Sequence, residues 1–477
     1  MVRARPVTST PTCLLPGRLT SVARVTERVV VIGGDAAGMS AAATARRQAG
    51  DRLEIVVLER GPWTSYSACG IPYWLAGHVD GPAGLVARTP QEHRDNGIDV
   101  RTAACATAID VHERTITVET GGSESLLPYD QLVLATGAQP VVPDVPGADA
   151  TGVHGVQTLD DGCRLLETLG RLDETRPRRA VIVGAGYIGV EMAEACVVRG
   201  LETTLLDQAD EPMGTVDQDL ARMVRDAMQG MGITTVMGTS VEAFETDSDG
   251  RVTAVATPGR SYPADLVVLG IGVRPRSELA RAAGLPLGRS GGIRTEPSMA
   301  VPGHPGVWAA GDCVESWDRV LRDFTHVPLG THANKQGRVV GHNVSGDGLV
   351  FAGLVGTGIT KVCEVEIGRT GLSHSMAESD GRDPVSATIE TTTKAGYFPG
   401  AEPMTVRLTA EPGGLLLGGQ IVGRAGSALR IDTVATALWA GMSVHDLVDL
   451  DLAYAPPFSS VWDPVQVAAR SLLGQLR

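Results

Sequence analysis

Apolar runs that end in glycine-rich turns organise this chain. Val29-Val30-Val31-Ile32 is continuously apolar, the mark of a strand buried on both faces of a parallel sheet. It leads into Gly33-Gly34-Asp35-Ala36-Ala37-Gly38, then an alanine-rich stretch that predicts a helix through Arg47. A second apolar strand over 53–58 ends at Glu59, 21 residues after Gly38. The unit then repeats. Ala180-Val181-Ile182-Val183 enters Gly184-Ala185-Gly186-Tyr187-Ile188-Gly189, followed by a predicted helix and a strand over 202–206 ending at Asp207. In such a unit the turn glycines admit a pyrophosphate, the helix N-terminus supplies N–H groups and dipole, and the acid bonds a ribose. The second turn is a complete G-x-G-x-x-G. The first carries Asp35 in place of the central glycine. An acid at Asp207, followed by Gln208, Ala209, Asp210 and Glu211 with no arginine, favours NADH over NADPH, with NADPH kept open.

Composition narrows the class. At 477 residues the chain holds two to four domains, and 43% hydrophobic with 20% charged residues is an ordinary globular balance. A net charge of −14 argues against nucleic acid and anionic membrane as partners. No apolar run is long enough to span a bilayer, and residues 1–27 read as a disordered tail or the product of an upstream start codon. The seven cysteines are widely spaced and contain no Cys-x-x-Cys, which excludes a zinc ribbon and favours a cytoplasmic location with one or two working thiols.

Further segments carry a family resemblance. Leu132-Val133-Leu134-Ala135-Thr136-Gly137 precedes the second unit and Val307-Trp308-Ala309-Ala310-Gly311-Asp312 follows it. In this order the chain resembles the pyridine nucleotide-disulfide oxidoreductases over residues 28–470. The resemblance implies an α/β fold with two Rossmann-like domains: a discontinuous FAD domain (28–148 and 272–330) and a NAD(P) domain (149–271). A C-terminal α+β dimerisation domain (331–477) completes it. It implies FAD contacts at Gly33, Ala36, Ala37, Gly38, Glu59 and Arg60, with Thr136, Gly137, Asp312 and Ala333 around the flavin. NAD contacts are implied at Gly184, Gly186, Tyr187, Ile188, Gly189, Asp207 and Gly272, with Glu191 near the nicotinamide and Tyr187 swinging aside for it.

Ser65-Tyr66-Ser67-Ala68-Cys69-Gly70-Ile71-Pro72-Tyr73 decides the branch. Pro72 suits a first helical turn, so Cys69 stands just before a helix whose dipole is expected to favour its thiolate. Two-cysteine relatives need a partner about five residues on; position 74 is Trp, and no cysteine recurs until Cys105. The pattern resembles the single-cysteine branch of coenzyme A-disulfide reductases and NADH oxidases. It implies Cys69 as the redox thiol, reducing a low-molecular-weight disulfide or persulfide in a homodimer. Tyr454 and Tyr397 are implied to reach the partner's site, and Ser40, Thr44, Arg47 and Ser65 to meet coenzyme A. Arg46 is expected to add charge beside Arg47. Two departures stand out: Ala68 where an asparagine is common, and Gly97 where a basic residue is expected. The histidine of the oxidases and peroxidases falls at Ala36, and Asp35, read as ionised, offers no acid in its place. This argues against oxygen or peroxide reduction as the main activity. A flavin-bearing redox sensor is the alternative of another class.

Overall fold

Three five-stranded sheets carry the architecture of this computed structural model, which describes residues 26–173, 175 and 177–476. The first sheet is parallel, in the order Val307–Ala309, Gln131–Leu134, Glu27–Ile32, Leu53–Leu58, Asp99–Arg101. Its central strands are almost wholly buried, as their unbroken apolar runs require. Residues 1–25 of the expected tail lie outside the described residues. Glu27, at its end, already pairs with Leu53.

The second sheet repeats the design: Thr234–Val236, Glu202–Leu206, Arg179–Val183, Leu266–Leu269 and Val153–Gly155, again parallel. The third is antiparallel, in the order Gly358–Val362, Val365–Gly371, Leu416–Gly423, Pro403–Ala410, Val385–Thr392. Helices Ile431–Ala440 and Pro464–Gln475 pack on it. The two-Rossmann fold with an α+β third unit is therefore present.

The helix Gly330–Asn343 sits differently from the expected boundary at 331. It packs along the helix Ala36–Ala49 of the first sheet, not on the third sheet. Gly337 and Gly341 make this possible, because a Cβ at either would run into the carbonyls of Ala37 and Ala41. The contact places Asn334 and Arg338 beside Ser40 and Arg47 at one mouth of the central cavity.

A polar seam ties the second sheet's unit to the third. Asp217 accepts from Gln420 Nε2 at 2.6 Å and from Arg407 Nη1 at 3.0 Å, while its own N–H donates to Gln420 Oε1 at 2.7 Å. Burial alone would raise this carboxyl, but hydrogen bonds from Gln420, Ser375 and Arg407 outweigh it and hold it at about 2.

Candidate active site

One cavity of about 2750 Å³ runs between the three units and is lined by both glycine turns and by Cys69. Gly33 and Gly184 have φ of 111° and 103°, and a Cβ on either would collide with the backbone of Ala135 or Gly270. Only glycine lets each turn lie this close to its neighbouring strand. Gly38 and Gly189 play another part than the expected cofactor contact. Neither lines the cavity; a Cβ there would strike the carbonyl of Gly33 or Gly184, so they set helix-to-strand packing. The acids stand ready at the strand ends. Glu59 accepts the N–H of Gly34 and of Gly61, each at 2.7 Å; Asp207 accepts the N–H of Ala185 at 2.5 Å and of Ala209 at 2.8 Å. Two glycine cradles with oriented acids fit two dinucleotides, one per turn.

The remaining expected cofactor residues Ala36, Ala37, Arg60, Thr136, Gly137, Asp312, Ala333, Gly186, Tyr187, Ile188, Glu191 and Gly272 all line this cavity. Tyr187 lies against Gly358, its buried hydroxyl unpartnered among the described residues. Glu191 accepts from Thr360, and Lys361, the nearby lysine, pairs instead with Glu194 at 3.2 Å. Glu211 does not confront a nucleotide as a free repelling carboxylate: it is buried and paired with Arg225 at 2.7 Å and Arg222 at 3.4 Å.

Cys69 lies in a single helical turn, Ala68–Gly70, directly before the short helix Ile71–Ala76. Cys69 is exposed and lines the cavity, but the expected thiolate is not what its surroundings favour. Burial pushes the thiol up, and the carboxylates of Glu191, Asp312 and Asp35 push the same way. The helix is too short, and its dipole too weak, to offset three acids. Asp35 also departs from the ionised state expected of it. Burial raises its carboxyl to about 7, against a hydrogen bond from the Tyr66 N–H and with Glu59 adding to the rise. It can therefore carry a proton near neutral pH. Trp74, where a second redox cysteine would stand, is packed against Gly162. The six described cysteines are free, and Cys313 and Cys363 lie in turns.

At the mouth, Ser40 donates to Asn334 Oδ1 at 2.7 Å and Arg47 Nη2 donates to Thr44 Oγ1 at 2.9 Å. Arg47 and Arg338 are exposed there on adjacent helices. Arg46 is not part of this basic patch. Its guanidinium donates to the carbonyls of Gly50 and Gly97, so Gly97 is a partner of an arginine rather than a missing one. Ser65 sits in the left-handed region at φ 47°, its hydroxyl 3.0 Å from His93 Nε2.

A profile of the pyridine nucleotide-disulphide oxidoreductases matches residues 27–337, and their dimerisation domain matches 357–465. The chain belongs to this family. The protein from Pyrococcus furiosus named NAD(P)H sulfur oxidoreductase (CoA-dependent) is 36% identical over 452 residues, 94% of this chain and 99% of that protein. A Methanocaldococcus jannaschii protein named NADH oxidase is 33% identical with the same coverage. Among solved structures, a NAD-dependent persulfide reductase from A. fulgidus superposes with a TM-score of 0.90 at 37% identity, covering 94% of this chain and 83% of that one.

As a member of this flavoprotein oxidoreductase family, the chain keeps one feature for which a single copy offers no use. Tyr397 and Tyr454 do not line the cavity. They are 77% and 46% exposed and hydrogen-bonded to each other, beside exposed Phe458, Val461 and Trp462. Two cavity residues, His93 and Arg338, had no sequence motif to mark them. Only the regular i, i+4 spacing of Asn334 and Arg338 on a helix could have hinted at the second. No helix among the described residues is long and apolar enough to cross a membrane.

Proposed function

We propose that this protein is a homodimeric, FAD-containing, NADH-dependent reductase of a disulfide or persulfide of coenzyme A or a similarly phosphorylated thiol, acting through Cys69. The observation that carries this reading is the single cavity joining both dinucleotide turns, Cys69 and the Arg47–Arg338 mouth. When bound, the flavin would take hydride from the nicotinamide and pass two electrons to sulfur. The chain's own residues do the rest. Glu59 and Asp207 receive the two adenosine riboses, and Arg47 and Arg338 meet substrate phosphates. Cys69 gives its proton to solvent and attacks one sulfur of the substrate; an S–S bond to Cys69 forms, the substrate S–S bond breaks, and the other sulfur leaves as a thiolate; the two electrons supplied by the bound flavin would then break the new S–S bond, freeing the second thiol and restoring Cys69. Tyr454 and Tyr397, idle in their own chain, would protonate that thiolate in the partner's site. We place the enzyme in the cytoplasm, where a lone redox thiol is kept reduced.

The test is Cys69→Ser in the holoenzyme. Flavin reduction by NADH should persist while NADH-driven reduction of coenzyme A disulfide falls to background. Undiminished disulfide reduction would sink the proposal.

A second reading, NADH oxidase, gains from Asp35. Its carboxyl at about 7 supplies an acid beside Ala36. Oxygen uptake under NADH alone measures this; a rate equal to that with disulfide would favour it.

A further inference from the structure

Asp35 stands where the first turn's pattern calls for glycine. It precedes the helix Ala36–Ala49, yet its side chain does not cap that helix. It turns instead to the loop of Cys69. Asp35 Oδ1 accepts the Tyr66 N–H at 3.1 Å, and the Gly34 carbonyl accepts the Ser65 N–H at 3.1 Å. These adjacent bonds stitch the first turn to the loop that carries the thiol. Ser65, between them, holds a left-handed φ that costs a non-glycine residue about 1 kcal/mol or more, so the loop needs such ties.

Asp35 and Cys69 line the same cavity. The charged groups that act on Asp35 are Glu59, at the end of the neighbouring strand, and Asp312, after the strand Val307–Ala309. Those that act on Cys69 are Glu191, Asp312 and Asp35. Tyr66, which joins the two, also feels Glu59, Asp161 and Arg60.

We propose that Asp35 is a positioning residue that holds the Cys69 loop on the first turn through Tyr66 and whose negative charge, added to those of Glu191 and Asp312, raises the pH at which Cys69 becomes a nucleophile. A carboxylate near a thiol opposes loss of the thiol proton. Above about pH 7, where Asp35 is ionised, its charge adds to those of Glu191 and Asp312 and keeps Cys69 as the thiol, which resists oxidation, to higher pH. The inference rests on Cys69 being the working nucleophile, but its test reads thiol chemistry and needs no turnover.

The reduced holoenzyme is treated with iodoacetamide across about pH 6 to about pH 10, and alkylation of the Cys69 peptide is followed by mass spectrometry. Asp35→Asn keeps an oxygen for the Tyr66 N–H and removes the charge. Its alkylation midpoint should fall by about half a pH unit, with a roughly threefold faster reaction between about pH 8 and the midpoint, where wild-type Asp35 is ionised, and a smaller difference near neutrality. Asp35→Ser also removes the charge, and serine is a favourable residue before a helix, so it serves if the amide variant does not accumulate. Asp35→Glu should hold the wild-type midpoint. A midpoint unchanged in Asn or Ser, or shifted equally in Glu, overturns the proposal. Loss of disulfide reduction in Cys69→Ser bears on the function alone, so the two failures are distinguishable.

Discussion

The hydroxyl of Thr360 donates to the carboxylate of Glu191, joining the third sheet to the helix of the second glycine turn. Burial raises the Glu191 carboxyl; this hydrogen bond pulls it down, and Glu194 adds to the rise. Thr360→Val removes the opposing bond and nearly preserves volume. Glu191 should then hold its proton to higher pH. The acid limb of flavin reduction by NADH, followed by stopped-flow absorbance, should move to higher pH. An unmoved limb would remove Glu191 from nicotinamide placement.

Asp207 is oriented by two backbone N–H groups and faces the cavity. Asp207→Ala should raise KM for NADH roughly tenfold to a hundredfold, the range for a lost hydrogen bond to a charged group. KM for NADPH should change far less, because Glu211 is committed to Arg225. Initial rates with each nucleotide decide the matter, and equal losses would argue against Asp207 as the discriminating acid.

The Arg47–Arg338 mouth predicts a substrate with phosphates. In the double variant Arg47→Glu, Arg338→Glu, KM for coenzyme A disulfide should rise at least about tenfold. A dephosphorylated or short thiol disulfide should lose little. Added salt should weaken the wild-type enzyme toward the charged substrate only. Parallel losses on both substrates would point to damage of the helix pair instead.

Asp217 makes an acid-stability prediction. Its folded carboxyl, at about 2, lies below the ordinary aspartate value of about 3.9. The stabilisation is therefore fully present above about pH 4 and is lost as pH falls through about 2. On the order of 2 kcal/mol is at stake for a group this enclosed. Asp217→Asn should flatten the acid limb of thermal or urea unfolding, and an unchanged limb would exclude Asp217 as its source.

The exposed tyrosine pair predicts a division of labour. Tyr454→Phe should leave flavin reduction by NADH unchanged and lower disulfide turnover, by about tenfold to a hundredfold if the phenol protonates the leaving thiolate. Mass measurement in dilute solution should show a dimer for both wild type and variant. A monomeric, fully active wild type would contradict the shared-site reading.

The order of residues by itself determined the two strand–turn–helix units, their closing acids Glu59 and Asp207, and the lone cysteine before Pro72. Each of these is a local matter: steric demand at Gly33 and Gly184, apolar runs fit for a doubly covered sheet, and the spacing of a turn. Tertiary structure alone decided the electrostatics. Asp35 holds a proton near neutrality and Cys69 resists losing one because burial strips them of water and acids from separate segments converge on the same space. Thr360 reached Glu191, Arg46 was drawn to Gly97, and Glu211 to Arg225 by packing between distant segments. Burial and the neighbouring charges fix whether a group holds its proton, and both are properties of the assembled fold rather than of residue spacing.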